Sequence, residues 1–214
     1  MSKKNIEVKF YIPISEGRYF NIISNLSKTL LGNGNTSVIQ ARTDKLVFKV
    51  KYNEKLFRFD FGQKYLVNIN EQKIASETIN IPKILFVDNI KKYKISEWID
   101  GVDINKVWNL PEVFIQSGEL MGKLNLIKNT NSGMYLSNCE FSSSNAIWSN
   151  DKKVYLIDLG KLRWSSCTDI TIVQVLLKRI RNKEKIDLFL EGYSKFKSTE
   201  KIIKICNQKN WSWK

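Results

Sequence analysis

Three oxygen-bearing side chains, Glu140, Asn145 and Asp158, lie near one another in the chain in an order that suits chemistry. They belong to Ser137-Asn138-Cys139-Glu140-Phe141-Ser142-Ser143-Ser144-Asn145-Ala146-Ile147-Trp148 and to Val154-Tyr155-Leu156-Ile157-Asp158-Leu159-Gly160. Ala146–Trp148 and Lys153–Ile157 have strand character, and Ser149-Asn150-Asp151-Lys152 between them is a hairpin signal. A hairpin there returns the chain on itself, so Asn145 and Asp158 emerge at the same open end. An amide oxygen and a carboxylate converging in this way are hard donors of the kind magnesium prefers. Glu140, in the loop entering the hairpin, can orient a hydroxyl or accept its proton. The plain alternative for Asn145 and Asp158 is turn formation, which both residue types favour.

Composition removes several competing chemistries. The 214-residue chain has no histidine, which excludes Ser-His-Asp and Cys-His catalysis and histidine zinc sites. The three cysteines, Cys139, Cys167 and Cys206, show no CxxC spacing, so a reducing cytoplasmic setting is expected rather than a disulfide framework. The first residues, MSKKNIEVKFYIPI, lack the apolar core of a signal peptide. A formal charge of +14 draws polyanions, phosphorylated small molecules, glycans or anionic membrane surfaces. From Leu177 to Lys214 eleven Lys and Arg face four Asp and Glu, so half of that surplus sits near the end of the chain. Peripheral contact with an anionic inner-membrane surface is one expectation for this region, and a solvated helical face is the other. Helix-turn-helix, zinc and RNP-type signatures are absent, so a nucleic-acid partner is not expected.

The elements that must position the three side chains follow from periodicity. Tyr19, Ile22, Ile23, Leu26 and Leu30 predict an amphipathic helix over 16–31, closed by Gly32. Strands are predicted at Thr36–Gln40 and Leu46–Tyr52 around Arg42-Thr43-Asp44, and again at Ile84–Asp88 and Tyr93–Ile99 around an Asn89–Lys92 turn. Residues 62–76 read as helical, ending before Ile81-Pro82. Pro111-Glu112 opens a helix to about Lys128, Asn129–Ser144 reads as loop, and helices dominate from Thr168. The fold class is α+β in two lobes. A strand-rich N-lobe is expected over 1–97, and a mainly helical C-lobe carrying the hairpin over 98–214.

With these residues in place the sequence resembles the protein-kinase-like superfamily. The likeness is to its compact branch of aminoglycoside phosphotransferases and bacterial lipopolysaccharide core sugar kinases. There a catalytic loop of the form His-x-Asp-x4-Asn precedes Asp-Phe-Gly by about thirteen residues. The matching positions are Asn138-Cys139-Glu140, Asn145 and Asp158-Leu159-Gly160. Lys94-Ile95-Ser96-Glu97-Trp98-Ile99-Asp100-Gly101 is similar to the hinge of this group, and Gly118–Asn125 to the helix before the catalytic loop. Leu46-Val47-Phe48-Lys49-Val50 resembles the strand that carries the nucleotide-binding lysine.

The resemblance implies roles for these positions. Lys49 would pair nucleotide phosphates, with Lys51 its rival, and a helix carboxylate, Glu71 or alternatively Glu77, would brace it. Glu97 and Trp98 would present hinge backbone to adenine. Asn145 and Asp158 would hold Mg2+, and Glu140 would act as base. Asp169 is similar to the aspartate that opens a core C-lobe helix, or is a first-turn acid that suits the helix dipole. Two departures stand out. The expected aspartate is Glu140 and the expected histidine is Asn138, while Gly32-Asn33-Gly34 falls short of a GxGxxG loop. The implied function is an ATP-dependent phosphotransferase acting on the hydroxyl of a small molecule or glycan, such as a lipopolysaccharide core sugar. A pseudokinase and a minimal effector-type protein kinase are the alternatives. A monomer is expected.

Overall fold

A computed structural model describes residues 17–31, 34, 36–42, 46–138 and 140–208. Cys139, Gly32 and the Thr43-Asp44 turn lie outside the described residues, as does the end of the basic C-terminal region. Contacts divide the chain into two compact units. The first runs through Val67 and takes in Lys83–Trp98; the second takes Asn68–Pro82 and the chain from Ile99 onward. The segment 68–82, which a single cut at residue 97 leaves with the sheet, thus clusters with the helical part.

The first unit pairs helix α1 (Gly17–Leu31) with a five-stranded antiparallel sheet. Its strands β1 (Thr36–Arg42), β2 (Val47–Tyr52), β3 (Lys55–Phe61), β4 (Ile84–Asp88) and β5 (Tyr93–Glu97) run in the order β1-β2-β3-β5-β4. Alternation along the strands sorts the side chains by face. Phe48 and Val50 of β2, Phe57, Phe59 and Phe61 of β3, and Tyr93 and Ile95 of β5 bury together with Ile23 of α1. Tyr19 of α1 reaches Phe61 with ring centroids 5.3 Å apart. Each such aromatic contributes about 1.5–3 kcal/mol by burial.

Strand β3 is absent from the sequence reading. Phe57-Arg58-Phe59-Asp60-Phe61 alternates apolar and polar residues with the period of a half-buried strand, a signal that the reading passed over. Asn53 and Glu54 join it to β2 in a two-residue hairpin, both at positive φ (44° and 65°), as the twist of paired strands favours. The predicted helix over 62–76 is also corrected. It is a short 3-10 turn at Gln63–Tyr65 followed by α2 (Ile69–Ser76).

The second unit holds α2, β6 (Gly101–Asp103), α3 (Pro111–Leu124), β7 (Tyr135–Asn138), β8 (Ala146–Ser149), β9 (Val154–Leu156) and β10 (Leu162–Ser165), then α4 (Thr168–Val175), α5 (Lys183–Ser194) and α6 (Glu200–Gln208). Helix α3 ends at Leu124, one turn short of the prediction, and the expected 129–144 loop contains β7. β7 pairs with β10, and β8 lies between β6 and β9. These two small sheets therefore bracket the segments 138–145 and 157–161. α4 runs into a π-helical turn at Leu176–Ile180 that Arg181 closes at φ 61°. Asn182 then caps α5, accepting a hydrogen bond from the Lys185 N–H at 3.0 Å.

Helices α3 and α5 cross backbone to backbone at two glycines. A Cβ added at Gly118 would stand 1.9 Å from the Phe189 carbonyl oxygen, and one at Gly192 would stand 1.9 Å from that of Ile115. Around the crossing Phe114, Met121, Leu124, Leu136, Phe141 and Phe189 are almost wholly buried. Gly192→Ala is expected to force the helices apart and cost about 1–3 kcal/mol. Thermal unfolding should show this as a midpoint several degrees lower; an unchanged midpoint would contradict the close crossing.

Candidate functional site

The segments 138–145 and 157–160 are held together by side-chain amides. Asn138 ends β7, paired to Leu162 of β10, and is fully buried. Its Oδ1 accepts the Glu140 N–H at 2.8 Å, and its Nδ2 donates to the Asp158 carbonyl at 3.4 Å. One amide thus shapes the turn that presents Glu140 and ties that turn to the backbone of Asp158. A buried amide satisfied on both sides in this way specifies a single loop conformation.

Asn145 closes the other end of the loop. Its Nδ2 donates to the Glu140 carbonyl at 2.9 Å, and its Oδ1 accepts from Ser144 Oγ at 3.3 Å. Its N–H donates to the Ser142 carbonyl at 3.0 Å, and its own carbonyl accepts the Ile157 N–H at 3.0 Å. Asn145 is therefore hydrogen-bonded to the residue directly before Asp158. Just past β9, Asp158 is exposed and its Oδ1 accepts the Gly160 N–H at 3.3 Å. The Gly160 carbonyl accepts from Asn68 Nδ2 at 3.0 Å, which fastens this segment to the residue capping α2. Phe141 and Leu159 are buried on either side, Phe141 with its ring 6.0 Å from that of Phe189.

The hairpin expected from residues 146–157 is present. Its register pairs Ala146 with Leu156, so 145 and 157–158 emerge at one end. Glu140, Asn145 and Asp158 stand in one hydrogen-bonded network. Asn138, counted in the sequence only as a missing histidine, proves to be its fastener. The signal for it was an Asn two residues before a loop acid, a spacing that permits the turn now seen.

The remaining expected residues fall as follows. Lys49 is half-buried on β2, and its Nζ lies 4.6 Å from the centroid of the Trp98 ring. That distance places it in cation–π contact. Lys51 stands on the same strand face and forms an ion pair with Glu54. The Trp98 backbone N–H donates to the Leu56 carbonyl at 3.2 Å, and Glu97 uses its carboxylate to accept the Lys83 N–H at 3.2 Å. Glu71 sits in the first turn of α2 and Glu77 caps its end, both in the second unit, whereas Lys49 belongs to the first. Asp169 lies in the first turn of α4 and pairs with Lys201 of α6 at 3.4 Å. Among the described residues no group of three or more His, Cys, Asp and Glu could hold a metal. The hard donors at the hairpin end are one amide and one carboxylate.

No protein-family model matches the sequence, and no curated protein does. Solved structures do match. The choline kinase LicA from Streptococcus pneumoniae is 15% identical, with 87% of this chain and 84% of that chain aligned at a TM-score of 0.59. The AMP-bound spectinomycin phosphotransferase APH(9)-Ia is 10% identical over 86% of this chain and 83% of that one, at a TM-score of 0.61. A choline/ethanolamine kinase family protein from Mesorhizobium loti aligns over 84% and 77% at 10% identity and a TM-score of 0.59.

The chain has the protein-kinase-like fold. Identities this low establish the fold alone. Asn138→Ala should cost about 1–3 kcal/mol, because it strips a part-buried N–H and a part-buried carbonyl of their partner. Hydrogen exchange at the Glu140 amide should accelerate in this variant. Unchanged protection there would show that Asn138 does not hold the loop.

Proposed function

We propose that the chain is an ATP-dependent phosphotransferase acting on a hydroxyl of a small molecule or glycan. The observation that supports this best is the network joining Glu140, Asn145 and Asp158 at one end of the β8–β9 hairpin, set within a kinase-like fold.

Phosphoryl transfer asks a protein mainly to position groups and neutralise charge. Glu140 takes the proton of the acceptor hydroxyl as its oxygen bonds to the γ-phosphorus and the bond to the β-phosphate oxygen breaks. The Asn138 and Asn145 bonds to the Glu140 backbone fix where that carboxylate starts. Glutamate reaches one methylene further than aspartate, so the backbone holding it must be set accordingly; misplacement by about 1 Å costs about 10²-fold.

Asn145 Oδ1 and the Asp158 carboxylate are oxygen donors of the type Mg2+ takes, and an ion held by few protein ligands keeps waters and substrate phosphates as the rest. When bound, it would neutralise phosphate charge during transfer. In the first unit, Lys49 and Trp98 are assigned to the nucleotide. Trp98 offers its ring, since its backbone N–H is already bonded to the Leu56 carbonyl.

A small-molecule acceptor is supported by the names of the structural neighbours, a choline kinase and a spectinomycin phosphotransferase. A phosphorylated glycan such as a lipopolysaccharide core suits the +14 charge of the chain. A cytoplasmic setting, with the basic C-terminal region meeting an anionic membrane surface, accords with this reading. No helix among the described residues is long and apolar enough to cross a membrane. The second reading, a nucleotide-binding protein without transfer, is favoured by Glu140 standing where the resemblance calls for aspartate.

Calorimetry with ATP and Mg2+, paired with a radiolabelled transfer assay on extracted lipopolysaccharide and on small aminoalcohols and aminoglycosides, tests both readings. Asp158→Ala should abolish transfer and weaken metal-dependent nucleotide binding about 10-fold or more. Glu140→Gln should lower turnover about 10²–10⁴-fold while leaving nucleotide affinity within about 3-fold. Transfer that survives Asp158→Ala would overturn the assignment. Nucleotide binding with no transfer to any acceptor would favour the second reading.

A further inference from the structure

Ile90 is the most exposed large apolar side chain among the described residues, with 91% of its surface accessible. It stands in the turn 89–92 that joins β4 to β5, just past the pair that Asp88 makes with Tyr93. Single exposed apolar residues are common and by themselves say little. What sets Ile90 apart is how it is held and what surrounds it.

The turn is braced from both sides. Asp88 Oδ1 accepts the Ile90 N–H at 2.8 Å and the Lys91 N–H at 2.7 Å. The Lys92 carbonyl accepts the Gly62 N–H at 2.6 Å, which draws the 3-10 turn at Gln63–Tyr65 to the same end of the sheet. Lys92 itself sits at φ 59°, a conformation that glycine or asparagine enters at less cost. A hydrogen-bonded turn therefore presents Ile90, and its backbone needs little further ordering when a partner buries the side chain.

Cations surround this tip. Lys91 and Lys92 follow Ile90 directly, and Lys64 extends from the neighbouring turn, its Nζ 5.0 Å from the Tyr65 ring centroid. All three are exposed, and none has an acidic partner among the described residues. Asp88, the acid of the turn, spends one carboxylate oxygen on the backbone, so three positive charges face one negative. A protein interface would need a broader apolar patch than one side chain supplies, and nucleic acid would leave the isoleucine unused. The interface of a bilayer with anionic headgroups uses both features, because apolar insertion and headgroup attraction add there.

We propose that the β4–β5 turn is a membrane-docking tip, in which Ile90 enters the acyl boundary while Lys64, Lys91 and Lys92 meet anionic headgroups. This surface belongs to the first unit, whereas the basic C-terminal region considered above belongs to the second. It needs no nucleotide, so it stands or falls apart from the phosphotransferase reading.

The test is co-sedimentation of the full chain, without nucleotide, with vesicles of phosphatidylcholine alone or mixed with phosphatidylglycerol. Wild-type protein should bind the mixed vesicles and leave the neutral ones. Ile90→Gln should weaken that binding about 10–100-fold, and Ile90→Leu should keep it. Lys91→Gln/Lys92→Gln should weaken it about 25-fold, at about 5-fold for each lysine near an anionic surface. Ile90→Trp should still bind, and brominated phosphatidylcholine in the mixed vesicles should quench its emission beyond the quenching of the wild-type tryptophans. All these positions are exposed, so circular dichroism spectra should not change. The proposal is overturned by wild-type protein that ignores the mixed vesicles or binds both kinds equally, by wild-type affinity in Ile90→Gln, or by an unquenched Ile90→Trp. If Lys201→Gln/Lys204→Gln releases the vesicles while Ile90→Gln holds them, the C-terminal region is the membrane contact and the tip is not.

Discussion

The buried amide of Asn138 is the constraint on which the site depends. Its side chain bonds to both segments, accepting from Glu140 N–H and donating to the Asp158 carbonyl. It can do so because β7 delivers it, fully buried, to the point where the loop leaves its ladder with β10. Removing water from that amide strengthens its bonds and raises the cost of breaking them. The position of Glu140 is thereby set by backbone rather than by its own flexible side chain. Where the resemblance places a histidine, this chain has an amide that donates and accepts at once without an ionisable group.

The two units solve different physical problems. The first is a sheet with one aromatic face closed by α1, which leaves the opposite face free for charge. The second surrounds the two short ladders with a helical core, in which α3 and α5 approach as closely as two glycines allow. That core sets β7, β8, β9 and β10, and these strands set the ends of two loops to within a hydrogen bond of each other.

Much of this was legible in the residues. The hairpin at 146–157 announced itself by apolar runs about a polar turn, and the helices α1 and α3 by their period. What escaped was short or charged. β7 and β10 have four residues each and owe their existence to each other, a pairing about 27 residues apart that local pattern does not carry. β3 alternates Phe with Arg and Asp, and its charges are buried by partners on neighbouring strands that the chain alone does not reveal. Asp60 and Lys94 lie 34 positions apart in sequence, and only register makes them neighbours. Asn138 was visible but read as a loss, because its use rests on a carbonyl twenty residues away.

The central claim is that the side chains of Asn145 and Asp158 share one divalent ion carried with a nucleoside triphosphate. A crystal structure of the chain with Mn2+ and a non-hydrolysable ATP analogue, with the metal located by its anomalous scattering, tests this most directly. The account predicts a single anomalous peak at about 2.0–2.3 Å from Asn145 Oδ1 and an Asp158 oxygen. A peak bound elsewhere, or an ordered triphosphate with its metal out of reach of both side chains, would contradict it.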